Sequence, residues 1–413
     1  MAKLENQSSL PVVELCARRN SLHPWIFRKM VRQPKQKLHP GDLVTVLTRE
    51  GEFVGRGIYN SVSGIAIRLL TEVESEHPDR NFFFQKIQAA KQLREEVLGI
   101  LEKSDSYRLI HAEADGLSGL IIDKYADVLV VEPYSAGYVK IMDWLVRILN
   151  DLYPGHRVVV RPDGKQAERE GVSNECVELG RRYPAPESVT IRENVMRLKI
   201  HFKTGHKTGY FLDQRDNRMA ISRLSAGKSV LDLFCYTGAF SISAAIGKAS
   251  DVTGVDLDEK ALKIAEENAR LNGVRPSFTQ IDVFDHLRTM VEEKRQVDVV
   301  IVDPSKLAGV RDEISRARKT YGDLNRLAMK AVRPGGILLT SSCSGLISEP
   351  DFISILTRAA AEAGVIFQAF RITGASPDHP VSSIFPEGRY LKAVFARILP
   401  GNGRRIVSET RKS

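Results

Sequence analysis

Hydrophobic positions change their period twice along the chain. Through residue 78, apolar and polar residues alternate in the short runs 41–47 and 53–59, split by Arg49-Glu50-Gly51. A further run, Ile65-Ala66-Ile67-Arg68-Leu69-Leu70, follows a turn at Ser63-Gly64. Alternation with period two, broken by glycine, predicts short antiparallel strands and a small β-rich domain. From 79 to 195 the pattern is mixed. Phe84, Ile87, Leu93, Val97 and Leu101 recur at near-helical spacing and predict a helix over 81–102. Strands are expected at 119–123, 128–131 and 157–160, with a helix over 138–152 stopped by Pro154-Gly155. The polar stretch 161–174 predicts a loop, and 189–192 with 195–202 a hairpin. From 196 to 399, strands at 229–234, 252–256, 277–282, 298–303 and 336–342 alternate with helices. A last pair, 365–371 and 390–398, has no helix between its members and predicts an antiparallel edge. Alternating strands and helices predict an α/β fold with a doubly wound, otherwise parallel sheet. The tail 400–413 is polar and basic, and predicts disorder.

A length of 413 residues suits two or three domains, and 43% hydrophobic with 27% charged residues is ordinary for a globular chain. The formal net charge of +9 changes the picture, because it favours a polyanionic partner, nucleic acid or an acidic membrane surface. Arg28, Lys29, Arg32, Lys35 and Lys37 precede the first strands, as an RNA-facing edge or a solvated loop. Positions 1–20 lack the apolar segment of a signal peptide, and no apolar run approaches the ~20 residues that span a bilayer. A cytoplasmic protein with no membrane partner is expected, which favours nucleic acid. Cys16, Cys176, Cys235 and Cys343 are scattered, with no CxxC pair and no Cys/His cluster. That spacing predicts reduced thiols and no metal site.

Candidate chemistry sits at the strand ends of the last domain. The first strand ends in Asp232-Leu233-Phe234 and the turn Cys235-Tyr236-Thr237-Gly238, too poor in glycine for a dinucleotide fingerprint and without a Walker lysine. Asp256 ends the second strand, where an acid suits both ribose hydroxyls. Asp282-Val283 ends the third, where a carboxylate can meet an exocyclic amine. Three strand-end acids without a phosphate cradle describe a cofactor with ribose and adenine but no phosphate, as S-adenosylmethionine is. The alternative is that these acids are helix caps or loop acids. Further on, an apolar strand ends in Asp303-Pro304-Ser305-Lys306 and the next in Ser342-Cys343-Ser344. A thiol beside a carboxylate on neighbouring strands suggests covalent catalysis. Ser342 and Ser344 are poor core residues, which argues against Cys343 being a buried strand residue.

These segments resemble the bacterial large-subunit rRNA cytosine-C5 methyltransferase family. The resemblance is carried by 232–238, 303–306, 342–345 and the run Lys207-Thr208-Gly209-Tyr210-Phe211-Leu212-Asp213-Gln214-Arg215-Asp216-Asn217-Arg218. His111–Leu120, Asp378-His379-Pro380 and Pro386-Glu387-Gly388-Arg389-Tyr390-Leu391-Lys392 add to it, so that it covers nearly the whole chain. It implies a Rossmann-like class I methyltransferase domain with a mixed seven-stranded sheet over 196–399. A small α+β domain over 79–195 and an N-terminal PUA-like, RNA-binding β-barrel over 1–78 would precede it. S-adenosylmethionine is the implied cofactor, held by Asp232, Phe234, Tyr236, Thr237 and Gly238, by Asp256, Asp282 and Val283, and by Gln214 and Asp303. The implied substrate is RNA, as large-subunit rRNA or a subunit assembly intermediate, and a homodimer is an open alternative.

The implied catalytic residues are Cys343, adding to C6 of cytosine, and Asp303, holding the base edge. Two-cysteine relatives carry a second thiol where Lys306 stands, so Cys343 would work alone. Lys306 is a candidate cation for the thiol or a phosphate contact. Ser305 stands where a second proline is usual. Asp303, Asp378, His379 and Glu387 are candidates for the base that removes the C5 proton. Cations of 207–218, and Arg311, Arg316, Arg318 and Lys319, face RNA or solvent. Competing readings are methylation of uracil C5 or guanine N7, and a catalytically silent RNA-binding or assembly factor.

Overall fold

The computed structural model describes residues 10–202 and 208–401, so Lys207 and nearly all of the expected basic tail lie outside the described residues. Two compact units result. The first takes Met1–Ile191, Ile200–Tyr210 and Pro377–Gly388, and the second takes Arg192–Lys199, Phe211–Ser376 and Arg389–Ser413.

The first unit begins with β1 (Val12–Glu14), β2 (Trp25–Phe27), β3 (Leu43–Leu47), β4 (Phe53–Tyr59) and β5 (Ile65–Thr71), ordered β1-β3-β4-β5-β2. Val13, Ile26, Val44, Val46 and Ile67 fill its core. β1 and β2 are too short to show a period, and the sequence reading misses them. Next comes α1 (Arg80–Gln92), capped by the Asp79 carboxylate on the Phe82 N–H. The helix expected to reach 102 continues only through a wider turn at Leu93–Val97. Gly99, at φ +57°, then separates it from α2 (Ile100–Lys103).

A four-stranded sheet follows: β6 (Ser106–His111), β7 (Leu120–Tyr125), β8 (Val128–Pro133) and β9 (Arg157–Val160). Helices α3 (Ala136–Lys140) and α4 (Met142–Leu152) lie between its last two strands in sequence. The stretch expected as a loop holds α5 (Gly164–Glu170) and the start of α6 (Ser173–Arg182). The polar sequence conceals them, because little more than Ala167, Val172 and Cys176 is buried there. The ribbon β10 (Ser188–Glu193) and β11 (Met196–His201) follows.

The second unit is built on α7 (Arg215–Leu224), β12 (Ser229–Leu233), α8 (Ala239–Ile246), β13 (Asp251–Asp256) and α9 (Glu259–Leu271). It continues with β14 (Ser277–Gln280), α10 (Val283–Glu292), β15 (Val297–Val302) and α11 (Ile314–Ala331). β16 (Val332–Ser342), α12 (Glu349–Ala363), β17 (Val365–Thr373) and β18 (Lys392–Pro400) complete it. The seven strands run β14-β13-β12-β15-β16-β18-β17, parallel through β16 and antiparallel on either side of β18. Both faces are covered. Val299 and Ile301 pack with Val230, Leu339 and Phe395 beneath α7 and α8. Val300 and Val302 pack with Leu231, Leu338 and Val394 against α10, α11 and α12. Strands buried on both sides read as apolar runs, which is why the central strands of this sheet are legible in the sequence. Strand order reverses between β12 and β15, and a crevice opens at such a point beyond the strands' carboxyl ends. Among the described residues, no helix is long and apolar enough to cross a membrane, and no cluster suits a metal ion.

Candidate active site

Asp232, near the end of β12, is 1% exposed. Its Oδ2 accepts from the Ser241 N–H at 2.9 Å and the Ser241 hydroxyl at 2.6 Å. Its Oδ1 is buried and has no partner among the described residues. Burial pushes this carboxyl up to about 7, against the Ser241 bonds and with help from the charges of Asp303 and Asp256. The turn that follows is strained. Phe234 and Tyr236 hold φ of +62° and +50°, a region that costs residues with a side chain ~1–2 kcal/mol each. Gly238, at φ +78°, caps α8, and a Cβ there would lie 2.9 Å from both Ala265 Cβ and Phe278 Cζ. Asp256 holds the turn to β13: its Oδ2 accepts from the Tyr236 N–H and its Oδ1 from the Asp258 N–H, both at 2.9 Å. Thr237 and Val283 are buried. Asp282 is exposed and caps α10 through Oδ1, so the capping alternative describes one of its oxygens.

This donor set fits the expected cofactor. Asp232 offers a buried acceptor without a partner, and Asp256 and Asp282 add carboxylates at neighbouring strand ends. Such groups suit hydroxyls, amines and a sulfonium charge, and repel phosphate. Gln214 belongs to the same region through Asp303. Its Nε2 donates to Asp303 Oδ1 at 2.9 Å, and its Oε1 accepts from Asn217 Nδ2 at 2.6 Å. Asn217 in turn accepts from the Thr373 hydroxyl at 2.7 Å. Gln214 and Asn217 are buried, so the Asp303 carboxylate is held at the end of an amide chain that the sequence does not announce.

β15 and β16 are direct neighbours, with Val302 opposite Thr340. Asp303 and Cys343 therefore emerge at the same edge. Cys343 is half-buried, and its thiol faces the Pro304 carbonyl at 3.9 Å. The flanking serines are fully buried, contrary to the sequence argument. They tolerate burial because they are bonded. Ser344 Oγ accepts from the Ala308 N–H at 3.1 Å and shares a hydrogen bond of 3.2 Å with Tyr321 of α11. The Ser344 N–H donates to Ser342 Oγ at 3.4 Å. Two further thiols, Cys176 and Cys235, are buried. Burial, with the charges of Asp232 and Asp256, pushes Cys235 well above its ordinary range, and burial pushes Cys176 up to about 11.

Lys306, the expected cation for the thiol, is exposed, and its charge acts on Glu313. A different lysine lies beneath the site. Lys392 begins β18 opposite Ser342, and its Nζ donates to the Ser344 carbonyl at 2.7 Å and the Tyr390 carbonyl at 2.8 Å. Neither Lys392 nor Tyr321 has a sequence signal that ties it to Cys343, since both approach from distant elements.

Several expected RNA contacts are engaged elsewhere. Arg218 is buried and donates to both carboxylate oxygens of Glu193 at 2.6 Å, and Arg318 pairs with Asp351 at 2.7 Å. Arg28 donates to the carbonyls of Asn60 and Ser63, while Arg32 and Lys35 pair with Glu14. Of the four candidate bases, Asp378, His379 and Glu387 belong to the first unit and Asp303 to the second. Asp378 is buried and accepts from the Arg108 N–H at 2.9 Å, His379 packs on His111, and Glu387 pairs with His23.

Residues 172–393 match the family model of S-adenosylmethionine-dependent methyltransferases, and residues 17–72 match that of PUA-like domains. The chain is 39% identical over 381 residues to the ribosomal RNA large subunit methyltransferase I of Aeromonas hydrophila, covering 91% of this chain and 95% of that one. It is 41% identical to the protein of the same name from Photobacterium profundum, covering 90% and 94%. A Streptococcus mutans protein assigned as a SAM-dependent methyltransferase has the same fold. Its TM-score is 0.75 at 20% identity, over 94% of this chain and 100% of that one.

Proposed function

Since the chain belongs to the S-adenosylmethionine-dependent ribosomal RNA large subunit methyltransferase I family, we propose that it methylates C5 of a cytosine in large-subunit rRNA, with Cys343 as nucleophile. The observation that carries this reading is the Cys343 thiol facing the Asp303-Pro304 turn from the neighbouring strand end. Cytosine C5 is a poor nucleophile. A thiolate that adds to C6 makes the C5–C6 bond single and leaves a C4=C5 enamine whose C5 can attack an electrophilic methyl. When bound, S-adenosylmethionine supplies that methyl from its sulfonium. Asp232, Asp256 and Asp282 with the 234–238 turn would hold the cofactor. Asp303, kept in place by Gln214, would accept from the exocyclic amine of the base. Loss of the C5 proton then returns the C–H pair to the ring and expels the sulfur. Asp303 is the candidate base that shares a unit with Cys343.

The test is RNA in which cytosine carries fluorine at C5. Fluorine cannot leave as a cation, so the sulfur stays bound. The protein is expected to form a stable adduct on the Cys343 peptide. Cys343→Ala should lose the adduct and about 1000-fold or more of turnover while keeping cofactor affinity. Turnover retained by that variant would sink the covalent mechanism. Mass spectrometry of the product nucleoside separates 5-methylcytosine from a methylated uracil or guanine. RNA binding with neither product nor adduct would identify a silent assembly factor.

A further inference from the structure

Lys392 is a cation in a place that does not suit one. Its residue is 2% exposed, and among the described residues its hydrogen-bond partners are two neutral carbonyls, with no carboxylate in an ion pair. A buried ammonium without a counter-ion is strongly disfavoured, so such a group either gives up its proton or faces an anion. The groups that bear on it come from several elements. Cys343 at the end of β16 and Glu349 at the start of α12 are the charges that favour its ammonium form. Tyr321 from α11 bonds Ser344 and feels the charges of Cys343 and of Asp303 after β15, and neither Tyr321 nor Asp303 can supply a positive charge. The Ser344 carbonyl at 2.7 Å from Nζ belongs to the residue next to Cys343.

We infer that Lys392 and Cys343 form a proton-sharing pair in which the Lys392 ammonium holds the Cys343 sulfur as thiolate. The inference rests on the nucleophilic role proposed for Cys343. One proton moves from sulfur to the Lys392 amine, leaving ammonium and thiolate with no other reactant. When sulfur bonds C6, its lone pair becomes the new bond and the negative charge passes to the pyrimidine, while the proton stays on Lys392. Elimination returns the pair to sulfur. Burial, opposed by the Cys343 and Glu349 charges, pushes the Lys392 ammonium down to about 8, close to the ~8.5 of an ordinary thiol. Lys392 is a positioning residue, because it acts on the sulfur and not on the base. The competing account is a staple that only joins two carbonyls.

Iodoacetamide labelling of the whole protein between about pH 5 and pH 10, with the Cys343 peptide resolved by mass spectrometry, separates these accounts. The wild-type midpoint is expected at least one unit below the ~8.5 of an ordinary thiol. In Lys392→Met the midpoint should rise by one unit or more. Labelling near pH 7 should then fall about tenfold, with no change at the alkaline plateau. Lys392→Arg, which keeps the charge, should retain a low midpoint. A wild-type midpoint at or above ~8.5 overturns the pair without any variant, and an unchanged midpoint in a folded Lys392→Met does so too. The assay uses neither RNA nor methyl donor. A low, Lys392-dependent midpoint without a fluorocytosine adduct would therefore keep the pair and remove the cytosine chemistry. The opposite result would remove the pair alone.

Discussion

A carboxylate with an unpaired oxygen is a poor core residue, and Asp232 is one. Its folded value of about 7 stands above the ordinary 3.8, so between those values the folded chain holds a proton that the unfolded chain has lost. The contribution of Asp232 to stability is therefore most favourable below about pH 4, falls as pH rises, and is least favourable above about pH 7. At ~1.4 kcal/mol per unit the penalty is at most about 4 kcal/mol. Asp232→Asn should raise the melting temperature at pH 8, leave it unchanged near pH 3, and weaken cofactor binding. Thermal melts across pH with calorimetric titration of the cofactor check this, and an equal Tm shift at both pH values would refute it. The acid is legible in the sequence as a strand-end residue. Its burial is not, because that depends on α8 closing over it through Ser241. Lys392 and Tyr321 are illegible for the same kind of reason: only the insertion of β18 beside β16 and the crossing of α11 bring them near Cys343.

At the scale of elements, the turn between β12 and α8 combines two costs, a left-handed backbone and a close approach. Phe234 and Tyr236 bear the first with full side chains. Gly238 bears both, since an added Cβ meets Ala265 and Phe278 at 2.9 Å. Gly238→Ala should destabilise the protein by about 2–3 kcal/mol, from ~1–2 for the conformation and the rest for the contact. Cofactor affinity should fall as well. Chemical denaturation and cofactor titration measure both, and a loss below about 0.5 kcal/mol would contradict the strain argument. The central strands β12, β15 and β16 are legible because each holds an apolar run bounded by polar or turn residues. The two helices in 164–182 are not, because few of their residues are buried and their sequence reads as a loop. The long helix expected over 81–102 fails at one residue, Gly99, whose left-handed backbone the periodicity of its neighbours does not reveal.

At the scale of the molecule, the order of the chain and the order of packing differ. Pro377–Gly388 lies between β17 and β18 in sequence, both strands of the second unit, yet belongs to the first. No reading of local pattern finds this, because it depends on contacts between distant elements, a buried charge among them. Arg94 is 0% exposed and binds both oxygens of Asp115 at 2.6 and 2.8 Å. It also donates to the Asp378 carbonyl at 3.0 Å, while the Asp378 carboxylate accepts from the Arg108 N–H. A guanidinium is suited to this work because its planar donors can serve a carboxylate and a carbonyl together. Arg94→Met keeps the volume and leaves the Asp115 charge buried without its partner, which should cost about 3–5 kcal/mol. The loss should appear first where Arg94 holds the chain across the longest sequence separation. Hydrogen exchange in 377–388 is expected to accelerate well before exchange in β12, β15 and β16 changes. Uniform acceleration of both regions would mean that the segment has no separate attachment, and that its opening is part of global unfolding.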